Sequence, residues 1–195
     1  MLKPIFILLL SAFNLSSGNF LPEFVIEQGG KSFPLTEANS VIHLSKNIFS
    51  VSFNEKEYKD EGKQWYSLHV AVAKSNSIFS SLKPGITTDD VDYFSGGTGC
   101  ATLGPYEEFS LTDEGNRCMY IMYEKNGEQR ARLISETDDL LRLKFDIEKI
   151  SDEGKNIPLK KIKVPQLHFV FYADTNLNDI LEEGEFRTVT IVFDK

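Results

Sequence analysis

The sequence is poor in the residues that build most metal and catalytic centres. It has two cysteines and three histidines among 195 residues. These are too few and too scattered for a zinc site, which uses about four sulfur or nitrogen ligands. There is also no G-x-S-x-G serine elbow and no H-E-x-x-H helix motif. The histidines, His43, His69 and His168, each lie in a strand-like stretch. The sequence therefore selects no catalytic residue, leaves the question of an enzyme open, and favours a non-catalytic protein.

Basic residues are in deficit. The chain has 21 Lys and Arg against 29 Asp and Glu, a net charge of -8 and a pI near 5.0. A nucleic-acid partner is disfavoured, because phosphate binding needs a basic surface. One basic run, at residues 160–163, alternates Lys with Ile162, and we interpret it as an exposed edge strand guarded by its lysines.

Long hydrophobic runs are absent except at the amino terminus. Lys3 precedes a short apolar run that ends in small residues at positions 16–18. This order is typical of a secretory signal peptide over residues 1–18. No stretch reaches the roughly 20 apolar residues that span a bilayer. We therefore predict a secreted or periplasmic protein with a single domain over residues 19–195 and no membrane span.

The predicted location bears on whether the two cysteines form a disulfide. An oxidising compartment favours pairing Cys100 with Cys118. The bridge would join a glycine-rich segment to the strand-like stretch CMYIMY. The alternative is two buried thiols without a bridge.

Alternation of apolar and polar residues recurs along the chain. It is clearest at residues 140–150, and residues 48–53 and 65–72 repeat it. A period of two indicates half-buried antiparallel strands. Turn residues such as Gly29-Gly30 and Asn126-Gly127 separate the strands. The pattern predicts an all-β fold, an antiparallel β-sandwich of the immunoglobulin-like or jelly-roll-like kind, with little helix beyond short pieces at 34–40 or 86–94.

Two strand-like stretches, CMYIMY and LHFVFYA, are apolar on both faces. Such strands must be covered on both sides. Either the long segment 74–110 covers the outer face, or the face binds a ligand, a protein or glycan partner, or a second copy of the chain as a homodimer. The aromatic residues proposed for such a binding face are Tyr93, Tyr106, Tyr120 and Tyr172.

The stretch DTNLNDILEEGE, residues 174–185, has the ligand spacing of a calcium loop. Calcium takes six to eight oxygen ligands, which such loops supply from positions 1, 3, 5, 7, 9 and 12. Position 7 contributes its backbone carbonyl, and position 9 often acts through water. The residues at these positions are Asp174, Asn176, Asn178, Ile180, Glu182 and Glu185.

Over these twelve residues alone, the chain resembles EF-hand-type calcium loops. The resemblance implies a structural calcium ion that clamps a hairpin, with Leu181 packing the loop on the core. The sequence departs from the pattern at position 6, where Asp179 replaces glycine, and in its flanks, which are strand-like. A switch built from paired EF-hands is therefore disfavoured, and a polar turn without an ion is the alternative.

Three functions fit these observations. The first is a non-catalytic binding or interaction module stabilised by calcium. The second is an acidic periplasmic inhibitor or immunity protein that blocks a cationic secreted enzyme, whose association would depend on salt. The third is a secreted glycan hydrolase, which would need two carboxylates about 5 to 9.5 Å apart in a cleft.

Overall fold

The described part of the protein consists of β-strands and the turns that join them. The computed structural model describes residues 21–56, 68–91, 93–94, 101–102, 106–112, 119–121, 123, 130–137, 140–176 and 178–194. Within these ranges the strands are β1 (Val25–Gln28), β2 (Lys31–Pro34), β3 (Asn39–Leu44), β4 (Phe49–Lys56), β5 (Leu68–Ala73), β6 (Ala101–Thr102), β7 (Phe109–Ser110), β8 (Met119–Ile121), β9 (Arg132–Glu136), β10 (Leu140–Ile147), β11 (Lys149–Asp152), β12 (Lys155–Pro158), β13 (Gln166–Tyr172) and β14 (Phe186–Phe193).

The strands form three sheets. The first has the order β2-β1-β4-β10-β9, the second β3-β14-β13-β5-β8-β6, and a small third sheet has the order β12-β11-β7. The first two sheets share one apolar core, as in a sandwich. Phe49 of β4 meets Phe169 of β13 edge to face, with ring centroids 5.9 Å apart. The predicted all-β sandwich is confirmed.

Alternation explains the best-predicted strands. In β10, Leu141, Leu143, Phe145 and Ile147 are buried while the residues between them are more exposed. Gly29 and Gly30 turn β1 into β2 with φ angles of 58° and 79°. Both angles lie in the left-handed region that glycine adopts without strain, which suits a two-residue hairpin.

Most strand pairs are antiparallel, as expected, but three are not. The pairs β3 with β14, β6 with β8 and β7 with β11 are parallel. Alternation reports that a strand has one buried face, and it carries no information on the direction of the neighbouring strand.

The two expected helical segments and the expected edge strand also differ from prediction. Residues 39–44, which overlap the first expected helix, are strand β3, and the second expected helix is only a 3₁₀ turn, Thr88–Asp90. The run at 160–163 is not an edge strand, because Leu159–Lys161 is a 3₁₀ turn. Leu159 and Ile162 are both buried, and residues three apart share one face of such a turn. A further 3₁₀ turn is Asn76–Phe79.

The outer face of β13 is covered by the chain itself. Residues of the segment 76–94, with Phe79, Tyr93 and Phe94 at their centre, pack against Val170 and Tyr172 in a second apolar cluster. The covering alternative therefore holds for the described part of that segment. Among the described residues, no helix has the length and apolar character needed to cross a membrane.

The predicted signal peptide, 1–18, and both predicted disulfide partners, Cys100 and Cys118, lie outside the described residues. The Asn126-Gly127 turn lies outside them as well. These remain predictions.

Candidate functional site

The loop at 174–185 connects the ends of β13 and β14. The backbone N–H of Ala173 donates to the carbonyl of Glu185 at 2.9 Å, so the two strands are still paired where the loop begins. The described residues of the loop then form a tight turn that closes on its own polar side chains. The connection is thus a hairpin loop between two central strands.

Asp174 organises the first half of the loop. Its two carboxylate oxygens accept hydrogen bonds from the backbone N–H groups of Asn178 and Asp179, at 3.2 and 2.9 Å. Asp179 has φ of 58°, in the left-handed region. This is position 6, where the EF-hand pattern has glycine, and aspartate is among the few other residues that enter this region at moderate cost. The sharp turn that the resemblance implies is present.

The two asparagines repeat this arrangement at shorter range. The Asn176 side-chain oxygen accepts from the N–H of Asn178 at 3.2 Å, and the Asn178 oxygen accepts from the N–H of Ile180 at 2.8 Å. Their amide NH₂ groups both donate to Glu182, at 2.7 and 3.2 Å. Four of the predicted ligand residues are therefore joined in one network.

Glu185 closes the loop from its other end. Its side chain is only 2% exposed. One carboxylate oxygen accepts from the backbone N–H and the hydroxyl of Thr175, at 2.8 and 2.6 Å. The other accepts from the N–H of Glu182 at 3.3 Å. Burial raises the pKa of Glu185, the bonds from Thr175 oppose this shift, and the negative charge of Asp174 adds to it.

The second half of the loop is attached to the segment that covers β13. Ile180 forms an antiparallel bridge with Thr87, and the N–H of Leu181 donates to the carbonyl of Ile86 at 2.9 Å. Leu181 is fully buried, as expected for position 8. The carbonyl of Asp179 accepts from the N–H of Thr88 at 2.8 Å. The loop is therefore held by backbone bonds to residues 86–88 as well as by the hydrogen bonds among its own residues.

A buried phenol lies close to the acidic side chains. Tyr172 is fully buried, and its hydroxyl has no hydrogen-bond partner among the described residues. Burial raises the pKa of Tyr172, and the nearby carboxylates of Asp174 and Glu185 raise it further. The centroid of its ring lies 5.5 Å from the centroid of the His69 ring. Burial lowers the pKa of His69 to about 4, with Asp174 opposing the shift.

The four aromatic residues proposed for a binding face separate into two groups. Tyr172 and Tyr93 are buried at 0% and 4% exposure, so the proposal of an exposed face is wrong for these two. The segment 76–94 covers Tyr172, and Tyr93 belongs to that segment and packs against Phe79 and Phe94. Tyr120 is partly buried against His69, and Tyr106 is 85% exposed.

Sequence reasoning missed Thr175 and the bridge to Thr87. A threonine after the first loop aspartate is a weak signal by itself, because its value depends on Glu185 lying beside it in the fold. Across the described ranges, no three Asp, Glu, His or Cys side chains converge as a metal-holding group. The expected ligand set contains three carboxylates, Asp174, Glu182 and Glu185, and these do not form such a group; its other three members supply amide or carbonyl oxygens.

No family model, curated protein or solved structure matches this chain.

Proposed function

We propose that the protein is a secreted, non-catalytic binding module whose β13–β14 hairpin is clamped by a calcium ion at residues 174–185. The observation that carries this proposal is the left-handed turn at Asp179, fixed by the carboxylate of Asp174. That turn orients the first half of the loop before any ion arrives. A preformed loop loses less conformational freedom on binding, which favours affinity.

The oxygen inventory is compatible with calcium. Each asparagine side-chain oxygen accepts one hydrogen bond, which leaves one of its two lone pairs for a cation. Glu185 uses one oxygen for Thr175 twice and the other for Glu182 once, so it retains one acceptor position. In this arrangement it supplies one oxygen to an ion, whereas the EF-hand pattern uses two.

Electrostatics also favours a cation here. Burial raises the pKa of Glu185, and the negative charge of Asp174 raises it further, so these two carboxylates lie close enough to repel each other. A divalent ion would remove this repulsion and stabilise both carboxylates in their charged form.

The binding role rests on the aromatic side chains that the fold leaves fully or partly exposed. Tyr106 and Tyr120 remain the aromatic candidates for contact with a protein or glycan partner. Aromatic side chains dominate the energetics of many interfaces because they bury a large area with few rotatable bonds. Calcium in this proposal stabilises the scaffold and takes no part in chemistry.

A thermal melt tests the clamp. The chain from residue 19 is heated with excess calcium chloride and with chelator. A ligand at about a hundred times its Kd stabilises the folded state by about 2.7 kcal/mol. For a chain of this size that corresponds to a rise in Tm of roughly 5 to 10 °C. Asp174→Ala should abolish the shift, whereas Glu183→Ala, at an exposed position outside the ligand set, should retain it. An equal shift in Asp174→Ala, or none in the parent protein, contradicts the proposal.

A further inference from the structure

A second concave site lies away from the calcium loop. It is a cavity of about 340 Å³ where the small sheet β12-β11-β7 meets the segment after β12. Its volume falls at the lower end of the range for small-molecule pockets. Its apolar lining is aliphatic and comes from Leu111, Ile150, Ile157, Ile162 and Val164.

The fold explains why this cavity exists. Leu111 bridges to Val72 and its N–H donates to the carbonyl of Ser151 at 3.0 Å, which attaches the small sheet to β5. The 3₁₀ turn Leu159–Lys161 then carries the chain across the end of the small sheet. Ile162 follows that turn and is buried, so it forms one apolar wall.

The rim of the cavity is basic, although the protein is strongly acidic. Lys161 and Lys163 line it, and both are exposed. Within the described part of the chain, neither makes an ion pair or a side-chain hydrogen bond. On the other side, Lys74 contacts Asp152 at 2.8 Å. Two available ammonium groups therefore stand at the mouth of an aliphatic pocket.

We infer that this cavity binds an anionic amphiphile, a small molecule with one alkyl chain and a carboxylate, sulfonate or phosphate head. The alkyl chain lies against Leu111, Ile157 and Val164, which are partly exposed, and it removes their apolar surface from water. The anionic head meets Lys161 and Lys163. The net charge of -8 works against anions in general, so the head group is recognised locally and not by the overall field.

This inference rests on the proposed binding role and gives it a ligand class, but it is independent of the calcium clamp. The cavity and the loop at 174–185 use different residues. Binding to the cavity is therefore expected both with calcium and with chelator.

Calorimetric titration with sodium 1-octanesulfonate, below its micellar concentration, tests the inference. Saturable one-site binding is expected, and it should weaken as salt is raised because the ammonium groups are exposed. The double variant Lys161→Gln, Lys163→Gln should weaken binding about fivefold. Lys31→Gln, which removes an exposed lysine from the β1–β2 hairpin, is the matched control and should leave binding unchanged.

Two further measurements separate the head group from the chain. Octyl glucoside has the same alkyl chain without charge, and it should bind at least about fivefold more weakly. Ile157→Glu places a carboxylate in the lining and should abolish binding, with circular dichroism and Tm confirming that the variant folds. If that variant is unfolded, Val164→Trp, which fills the cavity with an apolar side chain, replaces it.

The inference is overturned if octanesulfonate does not bind, if the neutral detergent binds equally well, or if the lysine variant binds like the parent. A calcium-dependent rise in Tm without octanesulfonate binding would reject the cavity and leave the clamp standing. Octanesulfonate binding without any effect of calcium on Tm would reject the clamp and support the cavity.

Discussion

Thr175 donates two hydrogen bonds to a single carboxylate oxygen of Glu185, one from its backbone N–H at 2.8 Å and one from its hydroxyl at 2.6 Å. The first residues of the hairpin loop are thereby joined to its last. Both side chains are buried, so water is not available to replace these bonds if one partner is lost. The pair closes the loop without an ion.

Removing this carboxylate should destabilise the protein. Glu185→Ala leaves both Thr175 donors and the N–H of Glu182 without a partner, which should lower the free energy of unfolding by about 2 to 4 kcal/mol. Urea denaturation in the presence of chelator measures this cost apart from any loss of calcium. Glu183→Ala changes an exposed neighbour and should stay within about 0.5 kcal/mol of the parent. Equal stability of the two variants would show that the Thr175–Glu185 pair contributes little.

Alanine usually gives a more stable protein than glycine at the same position. At the left-handed turn of Asp179 we expect the opposite order of stability. Both Asp179→Gly and Asp179→Ala remove the same carboxylate, so they differ only in backbone preference. At φ of 58°, glycine avoids the steric cost of a Cβ atom, and its variant should be more stable by about 1 kcal/mol. Urea denaturation of the two variants, again with chelator, provides the comparison. A more stable alanine variant would mean that residue 179 does not occupy the left-handed region.

A largely buried arginine joins the small sheet to the first sheet. Arg130 donates to the carboxylate of Glu108 at 2.9 Å and to the carbonyl of Asp146 at 3.0 Å, and its guanidinium lies over the ring of Phe109. Its side chain and that of Glu108 are 10% and 7% exposed.

Arg130→Met should therefore cost about 3 to 5 kcal/mol of stability, because it leaves the buried Glu108 carboxylate with its closest cation removed. Arg132→Met removes the exposed partner of Asp146 and is the control, with an expected change below about 1 kcal/mol. The two free energies of unfolding come from guanidinium or urea titration. Similar values for both variants would contradict the role of Arg130.

Glu55 should make stability depend on pH. It continues the inward-facing positions of β4 and is 7% exposed, and burial raises its pKa well above 4.5. In the folded state it keeps its proton to higher pH than in the unfolded state. Its contribution is therefore complete below pH 4.5 and is lost as pH rises toward the folded pKa, by about 1.4 kcal/mol per pH unit.

Glu55→Gln keeps the size of the side chain and removes the titration. The free energy of unfolding of the parent, minus that of this variant, should fall as pH rises from about 5 to 8. A difference that is flat across this range, or that rises with pH, would contradict the raised pKa.

Local patterns predicted the sandwich because its strands β4 and β10 are half-buried and alternate, and because Gly29-Gly30 favours a tight turn between strands. The same patterns failed where the outcome depends on distant partners. The parallel pairing of β3 with β14 joins segments from opposite ends of the chain. The burial of Tyr172 depends on where the segment 76–94 packs.

The candidate site shows the same division. The ligand spacing and the buried Leu181 follow from the twelve-residue pattern, since they are properties of one loop. The bond from Thr175 to Glu185 and the bridge from Ile180 to Thr87 require the folded hairpin and its covering segment. Likewise, Leu159–Lys161 form a 3₁₀ turn where alternation predicted an edge strand over residues 160–163.

Calorimetric titration of the chain from residue 19 with calcium chloride measures the proposed clamp directly. We expect one site with a Kd on the order of 0.1 to 1 mM, the range of extracellular calcium modules, and its loss in Asp174→Ala. Asp89→Ala, which removes an exposed carboxylate of the neighbouring 3₁₀ turn, should bind like the parent. Absence of a site in the parent, or an unchanged site in Asp174→Ala, would contradict calcium binding at residues 174–185.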